Sequence, residues 1–401
     1  MTANSALANA YFDDWVDIFT LIKEHKPKEK KIVIIDELPY IIKSDPAFPS
    51  VMQCIWDEIL YDSNIMLILC GSTMHMMLKN VLDRESPLYG RRTSQIRLLP
   101  LSFVTVYENT DKSFEDTVDL YSITGGVPKY MEFFDNDRSF LENLKSNVLD
   151  TNGFLYEEAN FLLKDEVSTV SSYVSILVSI AKGEHKIGDI SSYLNVRNSD
   201  ITPYIATLID LGIVSKIVPI TEKDPARSRK GLYIITDNFI KFWFKYVYPY
   251  KGELELNNMQ IVLEILDKNF IDNHVSFIYE DICREIFIDL CNKKVIDFIP
   301  SKVGKYWKDD RRSSVEIDIV AIDNIQKKIF VGECKYWKRK VDIDVLVDLK
   351  RKVDMASELV ETFKGHKFIY GLFSKSGFTD KMIEVSKEDR DIILVSKETV
   401  V

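Results

Sequence analysis

Apolar residues at Tyr11, Trp15, Ile18, Phe19 and Ile22 recur at helical spacing, which predicts a helix over residues 11–24. A charged stretch with a proline, HKPKEKK, ends it. KIVIIDELPYII then opens with four β-branched residues in a row, Ile32 to Ile35. An unbroken apolar run predicts a strand of a parallel sheet buried on both faces. Residues 50–61 return to helical spacing. IMLILCGS, 65–72, reads as a second buried strand closed by a Gly-Ser turn. After a further helix, IRLLPLSF, 96–103, is expected to begin as a third strand. Strands alternating with helices predict an α/β layer.

The pattern then changes twice. Residues 104–165 are mostly helical, broken by TGGVPKY, and 167–215 hold three helical stretches with short turns. An apolar SKIVPI strand, a polar turn TEKDPARSRK and a second strand GLYIIT follow. Three helices closed by a hairpin is the order of a winged helix. FIKFWFKYVY, 239–248, is a very aromatic helix, read as core or interface rather than as a platform for stacking bases. KGELELNN is a polar junction. Beyond it the spacing predicts helices at 273–291, 342–363 and 377–387 and strands at 295–299, 315–322, 328–336, 367–373 and 392–395, a separate α/β domain. The predicted organisation is an α/β core over 1–110, a helical lid over 111–166, a winged helix over 167–252 and a second α/β domain over 256–401.

Composition narrows the classes. The chain has 401 residues, 52 basic and 62 acidic, for a net charge of −10. That balance argues against a globally cationic nucleic-acid binder. The charge is uneven: residues 1–170 carry −11, 171–250 carry +3 and 251–401 carry −2. Five cysteines in no zinc-ligand spacing predict buried free thiols in a reducing compartment. No apolar run approaches the length of a membrane span, and MTANSALANAYFDDW lacks the plan of a signal peptide. A cytoplasmic protein without membrane contact is expected.

Candidate chemistry gathers at two places. Asp36 and Glu37 stand at the carboxyl end of the first buried strand, the edge where ligands of open α/β sheets collect. In nucleotide hydrolases an Asp there holds Mg²⁺ and a following Glu polarises the attacking water. The next strand ends at Ser72, and a Gly-Arg-Arg turn follows with Arg91 and Arg92. An arginine suits the spread charge of phosphoryl transfer.

IIDELPYI, LILCGS, SPLYGRRTSQIRLLPLSF and TGGVPKY together resemble archaeal-type ATPases of the AAA+/STAND group. These carry a winged helix and a C-terminal domain of restriction-endonuclease type, DUF234. The resemblance implies that Asp36 and Glu37 are the Walker B pair, with ATP and Mg²⁺ as cofactors. It implies that Ser72 is sensor 1, that Arg91 is an arginine finger, and that Gly125, Gly126 and Pro128 form a GGxP turn. The family's phosphate loop, GxxxxGK[ST], is missing, because no Gly-Lys-Ser/Thr occurs among the 401 residues. That loop cradles phosphates on backbone N–H groups and one lysine. The fold expected is therefore an ATPase core without its P-loop, truncated or degenerate, with inefficient ATP hydrolysis. Apolar sheet surface is expected to be left bare.

The second place is SSVEIDIVAIDNIQKKIFVGECKYWKRK, two apolar strands around a DNIQ turn. Period two puts Glu316, Asp318 and Val320 on one face, and Val331, Glu333 and Lys335 on one face. Folded as a hairpin, Asp318, Glu333 and Lys335 converge, a pattern similar to the PD-(D/E)xK nuclease signature. Two carboxylates and the Cys334 carbonyl offer hard oxygen ligands to Mg²⁺. Lys335 would orient water or neutralise charge developing on phosphorus. By the resemblance, Glu280 in FIYEDICREIF adds a carboxylate to the metal shell. Lys302, Lys305, Lys308, Arg311 and Arg312 before the hairpin, and Lys338–Lys340 after it, are candidate holders of a DNA backbone.

In the winged helix, Arg227, Arg229 and Lys230 at the wing tip are candidate DNA contacts. Its second helix is poor in Arg and Lys, so protein docking or autoinhibitory packing is an equal alternative. Two functions follow from the sequence. One is an ATPase-regulated, metal-dependent DNA nuclease. The other is a non-catalytic module that binds DNA or a protein partner, with a homo-oligomer possible in either case.

Overall fold

The computed structural model describes residues 12, 14–72, 74–167, 169–309 and 314–401. The chain divides into two compact units, residues 1–98 with 162–170, and residues 99–161 with 171–401.

In the first unit, Asp14 caps the helix Trp15–Glu24 by accepting from the Asp17 N–H at 2.9 Å. Strand β1 (Lys31–Ile35) pairs in parallel with β2 (Ile65–Leu69). Helices Leu38–Ser44 and Phe48–Ile55 follow β1. The core gathers Phe19, Ile35, Leu38, Phe48, Met52 and Ile55. The expectation of a strand buried on both faces fails. Ile32, Ile34 and Met66 are 62%, 60% and 52% exposed, because among the described residues only one face of the sheet is packed. The third strand is absent too. Ile96 and Leu98 are largely exposed, and no strand forms over 96–103. Pro100 has no N–H for a ladder, and Ser102 caps the helix Phe103–Glu108 through the Thr105 N–H.

In the second unit, the GGxP segment closes the helix Phe114–Thr124. Gly125 sits at φ 61° and Gly126 at φ 75°. A Cβ on Gly126 would lie 2.0 Å from the Leu101 carbonyl oxygen, so the close approach of these backbones needs glycine. Helices Val170–Ala181, Ile187–Tyr193 and Asn198–Asp210 precede an antiparallel hairpin of β3 (Val214–Ile217) and β4 (Leu232–Ile235). The aromatic run is core, as expected: Phe239, Phe242, Trp243, Phe244 and Tyr246 are all buried.

A six-stranded sheet follows, in the order β10-β9-β8-β7-β6-β5. Its strands are β5 (Lys302–Asp309), β6 (Ser314–Asp323), β7 (Lys328–Lys335), β8 (Lys367–Ser374), β9 (Ile392–Ser396) and β10 (Thr399–Val400). β5, β6 and β7 are antiparallel neighbours, while β7, β8 and β9 run parallel. The strand expected at 295–299 is irregular. The sheet edge is β5 instead, a stretch whose lysines at every third position hide its fully buried Tyr306. The helix expected over 342–363 breaks at Ala356 into Ile343–Met355 and Ser357–Thr362.

Helix Ile343–Met355 buries Val345, Leu346 and Leu349 against Ile329 and Val331 of β7. From the other face of β7, Phe330 stacks on Phe287 of helix Ser276–Asn292 at 4.2 Å. The sheet is thus sandwiched between two helices. One irregularity shapes it. Gly304 pairs with Val320 but Tyr306 pairs with Ile317, so Lys305 faces both Asp318 and Ile319. This bulge shifts the alternation of β6 by one residue. Val315, Ile317, Val320 and Ile322 all join one core. Val320 therefore does not share the face of Glu316 and Asp318, contrary to strict period two.

Candidate active site

Regular pairing of β6 with β7 stops at Ile319 and Gly332. Just beyond, the Cys334 N–H donates to Asp318 Oδ2 at 2.8 Å. The bulge turns this buried carboxyl toward the helix Ser276–Asn292. There Asp318, Glu316 and Glu280 place carboxylate oxygens within 4.8 Å of one another. Burial, then the charges of Glu280 and Glu333, pushes the Asp318 pKa up to about 8. Lys305, opposite the bulge, donates to Glu280. Arg284, one helical turn after Glu280, is ion-paired with Asp281. Burial lowers its pKa, while the charges of Glu280 and Asp318 work the other way.

Glu333 is buried and has different partners. Lys335 Nζ donates to its Oε1 at 2.7 Å, and Lys352 Nζ donates to both of its oxygens at 2.8 and 2.9 Å. Burial pulls the Lys335 pKa down, but Glu333 and Asp318 outweigh it and the net shift is upward. The structure thus brings Asp318, Glu333, Lys335 and Glu280 to one place. Within it, Glu333 stands outside the trio of carboxylates. The sequence reading missed three residues as partners. Glu316 was signalled by its spacing from Asp318, and Arg284 by its i+4 spacing from Glu280. Lys352 carries no motif and lies 17 positions beyond Lys335 on the next helix.

The basic residues around the site differ in their freedom. Lys302 donates to the Ile220 carbonyl at 2.7 Å. Lys338, Arg339 and Lys340 are exposed after the hairpin, with Arg339 over the Trp337 ring at 4.2 Å. Arg311 and Arg312 lie outside the described residues. At the β3–β4 turn, Arg227 is 90% exposed and 3.7 Å from Asp224. Lys230 is held by Glu222 at 2.9 Å and Glu358 at 3.1 Å.

In the first unit, Glu37 takes a left-handed backbone at the end of β1, φ 51°. Its Oε2 accepts from the Ser72 hydroxyl at 2.9 Å. Asp36 is exposed and accepts from the Glu37 N–H at 3.0 Å. The two strand ends therefore bring Asp36, Glu37 and Ser72 together. Arg91 points elsewhere. Its guanidinium meets Asp57 twice, at 2.9 and 2.7 Å, and donates to the Pro87 carbonyl. Arg92 donates to Gln95. Cys283, Cys291 and Cys334 are buried free thiols, whereas Cys54 is exposed on its short helix and Cys70 is half-buried. Among the described residues no helix is long and apolar enough to cross a membrane.

One unit thus carries an acidic edge on a pair of parallel strands, and the other an acid- and lysine-bearing bulged hairpin. Two family profiles match the chain. An ATPase domain predominantly from Archaea covers residues 2–134, and DUF234, archaeal bacterial proteins of unknown function, covers 243–345. The uncharacterized protein MJECL04 of Methanocaldococcus jannaschii is 34% identical over 96% of this chain and 82% of its own length. The uncharacterized protein MJ0424 of the same organism is 36% identical over 14% of this chain and 56% of its own. The chain belongs to this family of archaeal ATPases with a C-terminal DUF234 region. A repair endonuclease from Pyrococcus abyssi aligns at 22% identity over 27% of this chain and 43% of its own, with TM-score 0.18. Protein VC1899 from Vibrio cholerae aligns at 12% identity over 97% and 93%, with TM-score 0.22.

Proposed function

We propose that the C-terminal sheet is a divalent-metal-dependent DNA endonuclease domain attached to an ATPase-family core. The observation that carries this reading is the buried Asp318, bulged toward Glu280 and Glu316 and bonded to the Cys334 N–H, beside Glu333 and Lys335. The donor set fits a hard cation. Three carboxylates within 4.8 Å repel one another, and Asp318 is so poorly solvated that it favours the neutral form without a counter-charge. Such an ion, when bound, lowers the pKa of a water and screens the scissile phosphate.

The chain's own residues supply the rest. Glu280, Glu316 and Asp318 would hold the ion, with Glu333 and the Cys334 carbonyl as further donors. Lys335 would hold the attacking water or the charged phosphoryl oxygens. Arg339 and its exposed lysine neighbours would hold the DNA backbone. The test is incubation of plasmid with the protein and Mg²⁺ or Mn²⁺. Cleavage is expected, reduced about a hundredfold or more by Asp318→Ala and by Lys335→Ala. Cleavage that both variants leave unchanged would reject the site.

A second reading, a non-catalytic DNA- or protein-binding regulatory module, draws on the first unit. The 401 residues hold no Gly-Lys-Ser/Thr, and Arg91 is engaged by Asp57. On this reading Asp36, Glu37 and Ser72 retain a Mg²⁺–nucleotide edge without the main phosphate grip, and Arg227 and Arg229 at the tip of a winged helix face DNA. Turnover at the rate of a P-loop ATPase, abolished by Glu37→Gln, would refute the loss of hydrolysis.

A further inference from the structure

Glu333 would be expected to lie directly across the hairpin from Asp318, since Ile319 and Gly332 are the last regular pair. Its carboxylate is nevertheless outside the group formed by Glu280, Glu316 and Asp318. It is held by two ammonium groups, one from Lys335 on its own strand and one from Lys352 on the helix Ile343–Met355. Lys352 makes the larger contact, reaching both oxygens of a carboxylate whose side chain is only 5% exposed. Among the described residues Lys352 also has Asp348 near it, at 3.8 Å, one turn back on the same helix.

We propose that Lys352 is a positioning residue that holds Glu333 in reserve. It occupies both oxygens of Glu333 in the resting chain and gives them up when a divalent cation enters the carboxylate group. This inference rests on the metal-site reading above. Its physical basis is competition. Cation and ammonium seek the same two oxygens, and a divalent charge drawn onto them repels the ammonium and weakens its hold. Asp348 is bonded to Arg351 through Oδ1, and its Oδ2 stands 3.8 Å from Lys352 as a neighbouring partner for the released ammonium. Lys335 keeps its place on the strand and is freed for the reacting phosphate.

The test uses the full chain and Mn²⁺ alone. Calorimetry compares the wild type with Lys352→Met and Lys352→Arg, with a melting curve for each. Removing the competing charge is expected to tighten Mn²⁺ binding by roughly tenfold in Lys352→Met. Lys352→Arg, which keeps the charge, is expected to stay near the wild type. A purely structural lysine would lower the melting temperature without tightening Mn²⁺. Unchanged or weaker binding in a folded Lys352→Met would overturn the proposal. A second measurement needs no variant: acylation of lysines in the wild type, read by mass spectrometry with and without Mn²⁺. Lys352 is expected to become several-fold more reactive when Mn²⁺ is bound. Bound Mn²⁺ with no change at Lys352 overturns the proposal. No Mn²⁺ binding by the wild type rejects the metal-site reading itself, a distinct result.

Discussion

His274 is fully buried among the rings of Phe242, Tyr246 and Phe270, and its Nε2 bonds to the Ser122 carbonyl at 2.8 Å. Burial, helped by the charges of Lys241 and Lys245, lowers its pKa from 6.5 to about 3, against the pull of the Ser122 carbonyl. The folded state thus keeps the ring neutral where the unfolded chain protonates it. The associated stability is present above pH 6.5 and is lost as pH falls from there toward about 3. The slope is about 1.4 kcal/mol per pH unit, so the loss is on the order of 4 kcal/mol near pH 3. Denaturant midpoints at pH 7, 5.5 and 4.5 should fall for the wild type and flatten for His274→Phe. Equal slopes in both proteins would remove His274 as the cause. Nothing in the sequence marked this histidine, since its burial comes from rings up to 32 residues away and its carbonyl partner, Ser122, lies 152 residues away. Asp318, Glu333 and Lys335 were legible because their own strands carry the spacing that joins them.

Elements were legible where a local pattern decides them and illegible where a partner does. The β6–β7 hairpin and the aromatic core segment follow from period and composition. The bulge at Asp318 does not, because it is created by the register of β5, a strand whose lysines gave no strand signal. IRLLPLSF looked like a strand, yet Pro100 and the Ser102 cap direct it into a helix. The GGxP turn was legible as a motif, and the structure supplies its reason. Gly126→Ala would force a side chain onto a φ of 75° and against the Leu101 carbonyl oxygen. The left-handed backbone alone costs roughly 1–2 kcal/mol, and the contact adds to it. A loss of about 2 kcal/mol or more in urea unfolding is expected. A variant as stable as the wild type would show that Leu101 can withdraw at no cost.

At the scale of the whole chain, the two compact units present different problems. Among the described residues the β1–β2 face with Ile32, Ile34 and Met66 is exposed apolar surface, of the kind that marks an interaction site. The second unit is fastened internally. Ile220, just past β3, is 3% exposed within the core of the six-stranded sheet. Its N–H donates to the Lys305 carbonyl at 2.9 Å, at the bulge that faces Asp318. Its carbonyl accepts from Lys302, and Lys230 and Thr221 both reach Glu358 on the helix Ser357–Thr362. The hairpin and the C-terminal sheet therefore share hydrophobic and polar contacts at the strand that shapes the site. Ile220→Ala removes buried apolar volume and is expected to cost about 2–4 kcal/mol. Because the tie runs between the two regions, both should lose stability together. Two probes separate this from a local effect: backbone exchange in β3–β4 and backbone exchange in β5–β7, each followed by mass spectrometry. Faster exchange in both regions is the expected result. Faster exchange confined to the hairpin would mean that β5 and its bulge hold without it, and that the site is assembled by the C-terminal sheet alone.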